Sequence, residues 1–356
     1  MSKNTVLAIV LSSIVLIGSY ILIPIIFAKD APENNTVAEE TQDTENVKET
    51  NTTDNAAANN ASLFKSENEA TSEISPDEKH FTIKTDKAEI VLTNKGGDII
   101  SYKLMDHKDT DTGDGVQLSD NISNINRTCA IAFGPSGKDI VQDIFNVEQI
   151  DKYTYLFTKT MNVDGHDIIL GKKYTFMEGE YVFKLDILIH DKNGTGLDKD
   201  GVAYTIRTSP QIGPHFDPKK NRYESRQFIA FNGNKVKRKN IAGNQITAYE
   251  KDFNWAAVAG KYFTEIVIPN DSGIIKSASY SSKIEVDNYA NAQAMLERRG
   301  FSGSDIMDTY YMYFGPRNED DLKRYNVSEK NGWNLNGHNL ISVFRHIAGL
   351  SGLKLH

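Results

Sequence analysis

The sequence predicts an all-β protein: a large β-sandwich displayed behind one membrane-spanning helix and a disordered acidic linker. Three observations carry this reading. Apolar residues between His80 and Asn326 recur with a period of two in short runs broken by Gly, Asn and Asp. An uncharged apolar run, Val6 to Phe27, opens the chain. Between the two lies a stretch rich in Asn, Thr, Ala and Ser with very few aromatic residues.

The opening run is long enough to cross a bilayer. Twenty-two helical residues extend roughly 33 Å at 1.5 Å each, the thickness of the hydrocarbon core. A secretory signal has a shorter apolar region and ends at a small-residue cleavage site. Ala28-Lys29-Asp30-Ala31 is a poor one. Residues 1–29 are therefore expected to be an uncleaved anchor. The α-amino group and Lys3 lie on the short side, which puts the N-terminus in the cytoplasm and the bulk across the membrane.

Residues 30–79 carry thirteen acidic and three basic side chains. Such a segment buries too little apolar surface to offset the entropy of ordering it, so it is a tether. Its charge accounts for the net −8 of the chain, and an acidic balance argues against nucleic acid as a partner.

Residues 80–330 hold the predicted sandwich. Its clearest strand is Tyr181–His190, with Tyr181, Phe183, Leu185, Ile187 and Ile189 on one face and Lys184, Asp186 and His190 on the other. Phe81–Thr85, Glu89–Thr93 and Asp98–Leu104 alternate similarly, and Asn94-Lys-Gly-Gly97 between the last two is a hairpin turn. Further strands are expected at Tyr153–Thr158, Lys172–Phe176, Val202–Thr208, Tyr262–Ile268, Ile274–Ser281 and Thr309–Phe314. Asp287–Arg299 is expected to be a helix. Residues 331–356 form a loop and then a short amphipathic helix from Leu340 to Ala348, which fits either the domain or a membrane surface. The single cysteine, Cys129, excludes an intramolecular disulfide and reads as a small core residue of a strand.

Few residues suggest chemistry. The eight histidines show no metal-ligand spacing, and no nucleophile motif, phosphate loop or dinucleotide glycine pattern occurs. No catalytic residue, cofactor or metal is therefore expected. His190 and His215 could form a general acid–base pair on a sugar with a carboxylate such as Glu224, although no spacing singles this out. The basic stretch from Lys219 to Lys239 reads as a solvated loop, with anionic head groups as the alternative polyanion partner.

Three local motifs in order resemble the YidC-type family of bacterial membrane protein insertases. The first is Ile90-Val-Leu-Thr-Asn-Lys-Gly96-Gly97-Asp98. The second is Trp255-Ala-Ala-Val-Ala-Gly-Lys261-Tyr262-Phe263 with Ile268-Pro269. The third is Tyr311-Met-Tyr-Phe-Gly315-Pro316 followed by Leu322-Lys-Arg-Tyr325. The resemblance implies a β super-sandwich similar to galactose mutarotases, held in the periplasm at the inner membrane. It also implies contacts with the Sec translocon and a role in inserting nascent membrane proteins. In that family a five-helix insertase domain follows. This chain ends before it, so it is expected to supply scaffold or partner contacts as a fragment, a truncated frame or half of a split protein. The alternative is an anchored carbohydrate-binding or mutarotase-like domain.

Overall fold

The computed structural model describes residues 77–135, 137, 139–215, 224–242, 245–282 and 292–344. The expected anchor, the linker up to residue 76, residues 283–291 and residues 345–356 lie outside them.

Among the described residues, eighteen strands make three antiparallel sheets. A four-stranded sheet runs in sequence order through β1 (His80–Lys84), β2 (Ala88–Thr93), β3 (Asp98–Lys108) and β4 (Gly115–Gln117). A five-stranded sheet has the order β13 (Thr247–Tyr249), β16 (Ile275–Ser281), β17 (Gln293–Arg299), β10 (Val202–Arg207), β5 (Ile131–Phe133). The largest sheet has nine strands. Its order is β12 (Val236–Asn240), β11 (Gln227–Phe231), β14 (Trp255–Ala259), β15 (Phe263–Pro269), β18 (Asp305–Pro316), β9 (Val182–Asp191), β8 (His166–Thr175), β7 (Thr154–Val163), β6 (Asn146–Asp151).

Directly paired residues share a face, so the registers sort the nine-stranded sheet into two sides. Phe183, Leu185 and Ile187 lie level with Met312, Tyr174 and Lys172, and Phe314 with Glu265. On this inner side Phe228 of β11 stacks on Tyr280 of β16, with centroids 4.7 Å apart, and touches Tyr249 of β13. The core between the sheets is built there. The opposite, outer side carries Phe231, Trp255, Ile266, Tyr311 and Tyr313. Residues 317–344 cover part of it, with Leu322, Tyr325, Leu335, Leu340 and Val343 buried.

Four expectations change. Residues 293–299 form β17, not a helix: the strand pairs with β16 and β10 on either side, and most of it is buried on both faces. The helix formers Ala, Met, Leu and Glu are overridden by that position. Residues 236–240, inside the expected basic loop, are the edge strand β12. Cys129 is fully buried but precedes β5, in a left-handed conformation with φ 60°. The tail helix is only a 3-10 turn, Leu340–Val343, within the described residues.

Candidate functional site

The motif residues fall into two places. Gly96 and Gly97 form the β2–β3 turn, with φ of 70° and 62°. A side chain at Gly96 would meet Asp98 Oδ2 at 2.6 Å and Val141 O at 2.7 Å, and one at Gly97 would meet the Phe157 ring at 3.1 Å. Both the conformation and the space require glycine. Beneath the turn lies a fully buried charged node. Arg127 Nε donates to Asp98 Oδ2 at 2.8 Å, and Lys172 Nζ donates to Asp98 Oδ1. Lys172 also donates to Gly96 O at 3.1 Å and Cys129 O at 2.9 Å, which uses all three of its N–H groups. Tyr174 Oη caps Gly97 O at 2.9 Å. Burial pushes the Lys172 ammonium down, and the Asp98 carboxylate opposes that shift.

The second place spans β14, β15 and β18. Lys261, Tyr262, Phe263, Gly315 and Pro316 gather at one end: Phe263 pairs with Pro316, and Arg317 N–H donates to Tyr262 O at 2.6 Å. A side chain at Gly315 would strike the Tyr181 ring at 2.9 Å. Lys261 Nζ sits 4.7 Å above the exposed Tyr262 ring. Trp255 and Pro269 lie at the opposite end of the same strands. Trp255 is fully buried, stacks on Phe231 at 5.3 Å, and donates its Nε1–H to His338 O at 2.8 Å.

That last bond belongs to the seat of residues 317–344. The segment begins with a short helix, α1 (Glu319–Lys323), capped by the Asn318 side chain accepting from Asp321 N–H at 2.9 Å. Glu180, buried on the sheet, accepts from Tyr325 Oη at 2.8 Å, Arg324 Nη2 at 3.1 Å and Gly332 N–H at 2.8 Å. Trp333 Nε1–H donates to Val182 O at 2.8 Å, and its ring meets Tyr311 edge-on. Arg317 then closes the segment on itself. Its Nη2 reaches Val343 O at 2.6 Å while Nη1 holds Gly260 O at 2.7 Å. Long side chains thus satisfy the carbonyls of an irregular segment that lacks a ladder of its own.

The residues suggested as an acid–base pair each meet a different charged partner. His190 Nδ1 lies 2.8 Å from Asp305 on the nine-stranded sheet. His215 Nδ1 lies 2.7 Å from Asp120, beyond β10, and Glu224 pairs with Arg226 at 3.3 Å. No group of three His, Cys, Asp or Glu suited to a metal occurs among the described residues.

Glu265 is the polar group missed from sequence. It is fully enclosed beside a buried hydroxyl cluster in which Thr128 Oγ1 lies within hydrogen-bond distance of the Ser119 and Ser209 hydroxyls, at 3.1 and 2.9 Å. Its Oε2 accepts from Ser209 N–H at 2.8 Å, and its Oε1 has no partner among the described residues. Burial pushes its carboxyl up to about 8. An acid at the centre of the apolar run Phe263–Pro269 was the available signal. Being enclosed, it cannot reach a substrate.

The solved structures that the chain resembles include a galactose mutarotase-like protein from Lactobacillus casei, at 9% identity and TM-score 0.47, covering 67% of this chain and 100% of that one. An aldose epimerase homologue from C. elegans matches at 9% identity and TM-score 0.40, covering 67% and 99%. The membrane protein insertase YidC of Treponema denticola is 33% identical over 349 residues, which cover 94% of this chain and 59% of that protein. The Treponema pallidum insertase YidC is 26% identical over 384 residues, covering 94% and 61%. The chain thus spans about three fifths of the length of these relatives. Residues 80–336 match the profile of the YidC periplasmic domain, and the chain belongs to that family.

Proposed function

We propose that this chain serves a membrane protein insertase as its anchor and periplasmic scaffold, and carries no catalytic chemistry of its own. The observation that carries this is the alignment of 94% of the chain with an insertase at 33% identity. In this reading residues 1–29 anchor the chain in the inner membrane with the N-terminus in the cytoplasm, and residues 30–79 tether the domain. The β-sandwich stands on the periplasmic side, where it contacts Sec translocon components while nascent membrane proteins are inserted elsewhere in the assembly. The glycine turn and the buried residues Trp255, Phe263, Gly315 and Pro316 support the scaffold role, because their contacts are directed into the fold.

Moving a polar segment through hydrocarbon requires shielding, since each unsatisfied polar group costs several kcal/mol there. One apolar segment and an external β domain do not enclose a polar groove. In cells depleted of their own insertase, residues 1–356 joined to a five-helix insertase domain are expected to restore growth, and residues 1–356 by themselves are not. Rescue by residues 1–356 alone would place the insertion activity in the part assigned here to scaffolding. A reporter fused after His356 tests the orientation, with activity expected only in the periplasm.

A further inference from the structure

The basic stretch in the middle of the sequence has no role in the scaffold described so far. It forms β12, one edge of the nine-stranded sheet. Between Gln227 and Tyr249 the sequence contains no acidic residue. Lys235, Lys237 and Lys239 are all exposed, and none has an acidic partner among the described residues. Taken together, residues 80–356 are neutral, with thirty-five basic and thirty-five acidic side chains. The edge is therefore a local concentration of positive charge on a neutral domain.

Lysines on a sheet edge also prevent edge-to-edge pairing, so the charge alone does not name a ligand. A further feature does. At the Asn240 end of β12, the register through Gln227 and Ala259 leads to the β14–β15 turn. There Lys261 lies over Tyr262, whose ring is 54% exposed. An exposed aromatic ring beside cations is the pairing favoured at a membrane–water boundary. Arg238 of β12 donates to the carbonyls of Ser342 and Phe344.

We infer that the β12 edge, with Lys261 and Tyr262, is a docking surface for an anionic phospholipid bilayer. Lys235, Lys237, Lys239 and Lys261 meet head-group phosphates, and the Tyr262 ring enters the interfacial layer. Docking would set which side of the sandwich faces the membrane. The inference does not depend on the insertase reading, since it concerns only the surface and lipid.

The test uses the full chain in nanodiscs of phosphatidylcholine alone or with one third phosphatidylglycerol. Lysine acylation is read by mass spectrometry, with Lys84 and Lys152 as exposed internal references. Lys235, Lys237, Lys239 and Lys261 should be protected only in the anionic discs, and high salt should reverse the protection. Lys239→Gln keeps the backbone pairing of β12 and should shift the docked-to-undocked ratio about fivefold, the equivalent of ~1 kcal/mol per charge. Equal labelling in both discs, or protection in both, overturns the inference. So does a Lys239→Gln chain that only self-associates in solution while its lipid protection is unchanged, because the lysines would then serve the edge alone.

Discussion

Two ionisable sites lie in the interior beside the nine-stranded sheet, and they differ in how completely they are paired. Asp98 gives one oxygen to Arg127 and the other to Lys172, and Lys172 has a partner for every N–H. Glu265 bonds Ser209 through one oxygen and nothing described through the other. A complete ionic node can fix a backbone turn, and here it holds Gly96 and Gly97 in left-handed conformations. An incomplete one is held near a proton equilibrium instead. A single buried charge therefore does not reveal its role; the count of satisfied bonds does.

The largest expected effect breaks the complete node. Asp98→Ala leaves two cations buried without a counter-charge and should cost about 3–5 kcal/mol in urea unfolding. A cost below ~1 kcal/mol would mean that the node does not hold the turn. A smaller effect separates conformation from space. Gly97→Ala should cost about 1–3 kcal/mol, since it combines positive φ with the Phe157 contact. Gly179→Ala, at φ 77° with nothing within 4 Å, should cost less, and equal costs would remove packing from the explanation.

The incomplete node predicts a slope. The folded protein keeps the Glu265 proton up to about pH 8, whereas the unfolded chain releases it near 4.5. The unfolded state thus binds fewer protons between those values, so stability falls as pH rises, by up to about 1.4 kcal/mol per unit. Glu265→Gln should flatten this part of the profile and be more stable than the parent at pH 8. An unchanged slope would assign the titration to another group.

The class of the fold was legible because the long strands alternate. The expected strands from Phe81–Thr85 to Thr309–Phe314 correspond to strands of the sheets, with ends displaced by a few residues. What failed did so where context outweighed local preference. Ala292, Ala294 and Leu296 in fact recur with a period of two, yet the helix-forming composition around them hid a strand enclosed by two neighbours. Lys237 and Lys239 looked too polar for a strand, but an edge strand tolerates them. The ionic node could not be read at all, since Asp98, Arg127 and Lys172 are joined only by the fold. The seat of residues 317–344 was equally hidden, because its bonds run from distant side chains to backbone carbonyls.

Trp255 tests most directly whether the motif residues hold the domain together. It is buried against Phe231 and tied to His338, so it belongs to the sheet and to the docked segment at once. Burying such a ring involves about 150–250 Å², and removing it costs about 3–5 kcal/mol. The decisive measurement is the melting temperature of Trp255→Ala in the full chain, paired with growth rescue when the same variant is joined to a five-helix insertase domain. The account predicts a fall on the order of 10 °C, with rescue lost only as the folded fraction is lost. Unchanged melting with abolished rescue would contradict it, and would make Trp255 part of a partner-binding surface.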